Sequence, residues 1–489
     1  MRHFDDGSFR FLNETHHFEG PETWRPQGVP KPWADELHAF RWLWELPPGD
    51  AVLWIQHWLD HNPPLAAPGW DAYPLSLRLR EWIEWLLAHP DAPQALRERM
   101  VASLAHQARV LEDELEVHLQ GERLLENAIS LCWAAFSLRG PSSDRWLGRG
   151  RRLLRQQLGV QVLRDGSHDA RSPMIQSQLA EALLRLAEAA GPSPMAQSVR
   201  DSARAAGEVF VQTLQLLTHP DGEIALLNDS ACCQAPTARE LKFRFPAADG
   251  DEEEENGHTW SLPSAGYYGL RGRGPYLVMD AGPLGPDHQP AHGHADVLSF
   301  ELSHDGRRLL TDTGVFTYER GVARSRDRGT AAHNTVQVDG MDQSEVYGAF
   351  SCGRRVSRVH GMSRTEGEVD RLAAGYVGTA EGARLQHARE CRFEPPWLRF
   401  TDRLAASGRH EAVLRLHVAP GLTVQPSPDG PRLVDSGLPL ALVQGTGFEW
   451  SLEESPYHPE LGREVMRPCL FALASFRDQL TVEWGIRLL

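Results

Sequence analysis

The sequence predicts an α+β multidomain chain, helical in its first half and antiparallel β in its second. Three observations lead there. Between about residues 34 and 218 the apolar residues recur at intervals of 3 and 4, the spacing that lines one face of a helix. Beyond residue 258 the chain breaks into short β-prone runs bounded by Gly, Pro, Asp and Asn. Between the two, "AADGDEEEENGH" (247–258) is acidic and poor in apolar residues, and reads as a solvated linker. At 489 residues the chain is long enough for two large cores. The expected division is a helical domain with a short N-terminal extension over 1–246, an acidic linker over 247–258 and a β domain over 259–489.

In the helical part, Val101, Leu104, Ala108, Leu111 and Leu115 share one face. Further helices are predicted over 76–89, 122–138, 143–159, 177–190 and 196–218. Pro- or Gly-bearing connectors such as "AHPDAP" and "RGPSSD" separate them and offer Ser or Asp as caps. Antiparallel helical hairpins in series follow. Nine of the 15 tryptophans precede residue 86, and helical spacing assigns most of them to the core, with some free to stack on sugar rings.

In the β part, "PYLVMDAG", "HNTVQVDG", "LRFTDRL", "AVLRLHVAP", "LFALASF" and "QLTVEWGIRL" read as separate strands. "DVLSFELSHDGRRLLTDTG" reads as a hairpin turning at Asp305-Gly306. The result is an antiparallel fold, with stacked sheets expected.

Composition excludes several function classes. A formal net charge of −16 disfavours nucleic acid as the main partner. No segment approaches the ~20 apolar residues of a membrane span. No signal-peptide pattern opens the chain, so it is expected to be cytoplasmic as written, or periplasmic or secreted if a leader was removed. The six cysteines form no C-x-x-C pair, so neither a thiolate zinc site nor a disulfide framework is expected.

The chemistry gathers in "HQPAHGHADVLSFELSHDGRRLLTDTG" (288–314), which places His288, His292 and His294 within seven positions. Histidines at this density suggest metal ligation, proton transfer or both. With "TAAHNTVQVDGMDQSEVYGAF" (330–350), and with "FRFLNETHHFEGPETWRP", "WDAYPLSLRLREWIEW", "GERLLENAISL" and "LRDGSHDARSPM" upstream, this segment resembles the heparinase II/III-like family. The branch it resembles is often encoded with capsule and exopolysaccharide genes. The resemblance implies an incomplete (α/α) toroid followed by an antiparallel β-sandwich. It also implies β-elimination in a uronic-acid-containing polysaccharide.

What the resemblance implies for residues is specific. His292 matches the family's proton-transferring histidine. His294, Asp312 and His333 match positions that hold a divalent metal, zinc in some relatives. A tight turn at Asp305-Gly306 would leave Asp312 ~16 Å along an ideal strand from the residue facing His294, so a bulge, twist or bend must close the gap.

The helical side departs from the family pattern. Glu122 and Arg123 stand where relatives carry Asn and His, and Ile175 and Gln176 where they carry Tyr and His. Ile175 cannot move a proton. Glu122 would repel a uronate, whereas Arg123 could pair with one and Gln176 could donate a hydrogen bond. Three readings stay open: elimination by His292 with Tyr318 supplying the lost tyrosine; hydrolysis with Glu122 as acid beside Asp165 or Glu126; and glycan binding or a recruited chemistry without elimination. Arg324 and Arg326, in the arginine-rich loop "RGVARSRDRG", and Asn334 are further candidates for contact with an anionic sugar.

Overall fold

The computed structural model describes all residues except 1, 4–6, 18, 19, 192, 247–258, 273 and 368. The acidic linker expected at 247–258 lies outside the described residues. The chain divides into two compact units, residues 1–161 with 179–208, and residues 162–178 with 209–489. Segments 162–178 and 209–246, assigned to the helical domain by their sequence pattern, group with the β-rich unit.

The first unit is helical. Its segments include Lys31–Ala39, Pro48–His61, Ala72–Ala88, Gln94–Asp113, Gly121–Ser137 and Ser143–Gln161. Leu104, Ala108 and Leu111 are buried as their spacing requires, but Val101 is exposed. The helix Gln94–Asp113 starts from Pro93 without a side-chain cap. Tryptophans build much of this core: Trp24, Trp33, Trp42, Trp58, Trp82 and Trp85 are fully buried. Among them sits His38, which takes a hydrogen bond from Trp58 Nε1 on Nδ1 (3.1 Å) and faces the Trp24 carbonyl with Nε2 (3.1 Å). Gly69 leaves room for its ring, since a Cβ there would lie 2.7 Å from His38 Nδ1.

The second unit holds a five-stranded and a ten-stranded sheet, both antiparallel. Leu277, Met279, Phe300 and Leu302 of the smaller sheet share one core with Leu372, Phe400, Leu414 and Ile486 of the larger. That is the sheet-on-sheet burial expected of a sandwich. The runs expected as separate strands at 398–404 and 412–420 are one strand, Trp397–His417, and those at 470–476 and 479–488 are one strand, Arg463–Leu488. The two pair along their length across an irregularity between Ala406 and Arg409. Turn residues near that bulge, Gly408 and Asp478, give the sequence its appearance of interruption. The hairpin Phe300–His304 / Arg307–Leu310 turns at Asp305-Gly306, both in the left-handed region.

Candidate active site

The site is built on loops of the second unit, around a carboxylate that the sequence reading passed over. Asp229 lies in "LLNDS", between the last long helix and the first strand of the β-rich unit. Fully buried, it receives His292 Nδ1 (2.9 Å), His294 Nε2 (2.9 Å) and both terminal nitrogens of Arg324, Nη2 at 2.8 Å. Burial pushes its pKa up, but Arg324 and the two imidazoles outweigh this and hold the carboxyl well below the usual range. Its neighbour Asn228, in the left-handed region, accepts from the His294 backbone N–H (3.0 Å). An Asn-Asp pair in a loop is ordinary turn chemistry, so only spatial convergence reveals it.

His292 is partly exposed, whereas His294 and His333 are fully buried. With Nδ1 donating to Asp229, a neutral His292 carries its lone pair on Nε2, the arrangement of a general base. Its ring packs edge-on against Phe350, with centroids 6.0 Å apart. Tyr318 packs against the same Phe350 at 6.0 Å and lies under the Arg324 guanidinium at 5.3 Å. Tyr318 and His292 therefore flank one aromatic ring. His288 is exposed on the preceding loop.

The expected metal set is rearranged. His294, Asp296 and His333 have ligand atoms within 4.8 Å of one another. Their His294 Nδ1, Asp296 Oδ2 and His333 Nε2 have no hydrogen-bond partner among the described residues. Asp312 is set back: its carboxylate takes His333 Nδ1 (2.8 Å) and the Thr313 N–H (2.7 Å). It thus orients an imidazole, as carboxylates behind metal-bound histidines do. The strand offset expected between His294 and Asp312 does not arise, because residues 291–299 leave the strand. Leu298 takes a left-handed conformation, and a turn joins Ser299 N to the Asp296 carbonyl.

Two imidazoles and a carboxylate are ligands that suit Zn²⁺; held by His294, Asp296 and His333, such an ion would supply Lewis acidity. Burial drives the His294 pKa down to about 4, leaving it neutral. His333 is raised to about 9 despite burial, because Asp312 and Asp296 face it. Burial pushes Asp296 up, with nearby Asp280 adding to it.

Beneath the site Glu301, also fully buried, accepts the Leu226 N–H (3.3 Å) and the Asp312 N–H (2.7 Å) on one oxygen and meets His219 Nε2 (2.6 Å) with the other. It fastens the loop carrying Asp229 to the strand end carrying Asp312.

Several expected substrate contacts are occupied internally. Gln176 is buried; it accepts from the His168 N–H and donates to the Phe210 carbonyl and the Thr213 hydroxyl. Asn334 donates to the Phe300 and Thr311 carbonyls and accepts from the His417 N–H. Arg324 spends its guanidinium on Asp229 and the Ala349 carbonyl. For these three the geometry replaces the expected sugar contact with a positioning role. Arg326 is exposed and pairs with Glu464 (3.0 Å).

In the first unit, Glu122 and Arg123 open the helix Gly121–Ser137. Arg123 lies over the Tyr73 ring at 4.4 Å and 3.5 Å from Glu116. Of the carboxylates considered as partners for Glu122, Glu126 is paired with Arg80 (2.7 Å), and Asp165 accepts the backbone N–H groups of Ser167, Ser264 and Ala265.

Comparison with known proteins bears on the fold. A heparin-sulfate lyase of Bacteroides thetaiotaomicron is 24% identical over 396 residues, covering 66% of this chain and 56% of the relative. The chain thus spans little more than half the length of that relative. Among solved structures, heparinase III superposes with a TM-score of 0.75 at 16% identity, covering 95% of this chain and 79% of that one. The heparan sulfate lyase of Pedobacter heparinus gives 0.64 at 18% identity, covering 99% and 81%. Residues 254–466 match the family described as heparinase II/III-like, C-terminal. The chain therefore has the fold of heparinase III, and its residues 254–466 match the heparinase II/III-like, C-terminal family.

Proposed function

We propose that the chain is a polysaccharide lyase that breaks glycosidic bonds next to uronic acids by β-elimination, with an acidic exopolysaccharide as substrate. The observation that carries this reading is the pairing of a partly exposed His292 with the fully buried, anionic Asp229. Elimination needs a base for the weakly acidic C5 proton, an acid for the leaving oxygen and a group that neutralises the uronate carboxylate. His292, oriented by Asp229, is assigned the base. Tyr318 is assigned the leaving-group proton, since it packs on the same phenylalanine as His292. The hydrolytic reading is weaker, because both partner carboxylates proposed for Glu122 are held by internal bonds.

The test is incubation with polygalacturonate, alginate and heparan sulfate, following the ultraviolet absorbance of a 4,5-unsaturated uronate together with reducing ends. Absorbance rising with reducing ends is expected, and Tyr318→Phe should abolish the rise. Reducing ends without absorbance would replace elimination by hydrolysis.

A further inference from the structure

The larger sheet has a solvent face whose charge contradicts that of the whole chain. Five of its strands run side by side in the order Ser357–Glu366, Val369–Ala380, Ala383–Glu394, Trp397–His417 and Arg463–Leu488. Two neighbouring cross-strand rows occupy its middle. One joins His360, Gly375, Ala388, Arg403 and Thr481, each opposite the next. The other joins Val377, Gln386, Ala405 and Gln479. Small residues lower the floor of these rows, and long ones stand around it. The result is a depression of about 500 Å³, edged by Arg358, Arg384 and Arg403 with the amides of Gln386 and Gln479. Gly375 belongs to that floor because the His360 ring lies over it; a Cβ there would come 3.1 Å from His360 Cε1.

The three arginines are exposed, and none makes an ion pair with a described residue. A chain with 66 acidic against 50 basic residues has ample carboxylate to neutralise them, and Glu390 and Glu483 stand in the next row of the same face, yet neither forms an ion pair with these three. The contrast along the same face is direct. In the row Arg364, Arg371, Arg392 and Arg399, like charges stand opposite one another, and Glu366, Glu390 and Glu394 relieve them. Farther along, Arg409 and Arg477 oppose each other without a carboxylate partner among the described residues. Like charges directly opposite weaken a sheet, so the Arg409–Arg477 pair costs folding stability. Buried beneath the face, His387 also borders the depression, and its Nδ1 has no partner among the described residues.

We propose that this depression holds a carboxylate-bearing stretch of polysaccharide, at a second place that shares no residue with the His292, His294 and His333 cluster. Five strands spaced by about 4.8 Å give a track of about 19 Å, room for several sugar rings laid across the strands. Guanidinium forks match carboxylates in two-point geometry, and the amides and the Thr481 hydroxyl suit sugar hydroxyls. Holding a polymer here raises its local concentration at the catalytic loops of the same chain. The inference rests on the proposed acidic-glycan substrate, but it concerns binding and not cleavage.

The test uses the whole chain with His292→Ala, so that polymer is not consumed, and measures its binding to immobilised polygalacturonate and heparan sulfate, with neutral dextran as blank. Changing Arg358, Arg384 and Arg403 together to Glu should weaken binding at least about tenfold, the sum of three exposed charge pairs of ordinary strength. The same change at exposed Arg25, Arg109 and Arg239 alters net charge equally and should leave affinity within about twofold. With His292 intact, the sheet variant should cleave a short oligosaccharide normally while its KM for polymer rises. Equal loss in both triple variants, unchanged affinity in the first, or no binding of either polyanion by the parent would overturn the inference. Failure of every polymer to yield unsaturated product would instead sink the elimination reading and leave the binding comparison intact.

Discussion

Asp229 is where the site's chemistry and its stability meet. Its two oxygens hold His292, His294 and Arg324 together. Asp229→Asn would leave the Arg324 guanidinium buried beside a neutral amide, a change that costs about 3 kcal/mol when a buried pair is broken. Activity should fall roughly tenfold to a hundredfold, because an amide offers one accepting oxygen where two imidazoles each use one, so the His292 tautomer is no longer fixed. Denaturant melts and initial rates measure the two effects. His292→Ala should instead leave stability nearly unchanged and lower the rate by about two to four orders of magnitude. For the metal set, elemental analysis of the purified protein should find about one equivalent of divalent ion, lost in the double variant His294→Ala/His333→Ala. Asp296→Asn should lose it as well. Asp312→Asn should weaken it by about tenfold to a hundredfold, as for a residue one bond behind the ligand. Equal loss on changing Asp296 and Asp312 would remove the distinction between them.

At the scale of elements, what the sequence made legible depended on local rules. Helical spacing and hairpin chemistry are local, so Ala72–Ala88 and the Asp305-Gly306 turn could be read directly. Gly306→Ala should therefore cost about 1 kcal/mol by thermal melt, because a side chain is disfavoured at its φ of 75°. Long strands were harder. Trp397–His417 and Arg463–Leu488 are bulged, and their turn-forming residues imitate strand ends. The site was legible only as far as its motif. The imidazoles at 292, 294 and 333 could be placed by resemblance, but the exchange of Asp312 for Asp296 in the cluster depends on a left-handed Leu298 that no pattern announces. Gln176 and Asn334 are candidate substrate contacts by sequence, whereas each is consumed by groups distant in sequence. Hydrogen-bond satisfaction of that kind is a property of the tertiary structure.

For the molecule as a whole, acid should be the more damaging direction of pH. His38 is buried among tryptophans, accepts an indole N–H and has its pKa pushed down to about 3 by burial and by Arg78. Its folded value lies below the unfolded one of about 6.5, so the stability it supports is complete above pH 6.5 and is lost as pH falls toward 3. Between pH 6.5 and pH 5 the loss should be about 2 kcal/mol, seen as a falling Tm. His38→Gln should lower Tm at pH 7 and flatten its slope over that interval. A slope unchanged by the substitution would assign the acid sensitivity elsewhere.

Glu301 gives the arrangement a further consequence. Since one carboxylate ties the chain at Leu226 to the chain at Asp312, the imidazole pocket is braced from within its own unit as a single block. Gln176, consumed by its own internal bonds, is tied into the same unit and is not free to change chemistry. Removing Glu301, the keystone, would release the Asp229 loop and the Asp312 strand end at one stroke.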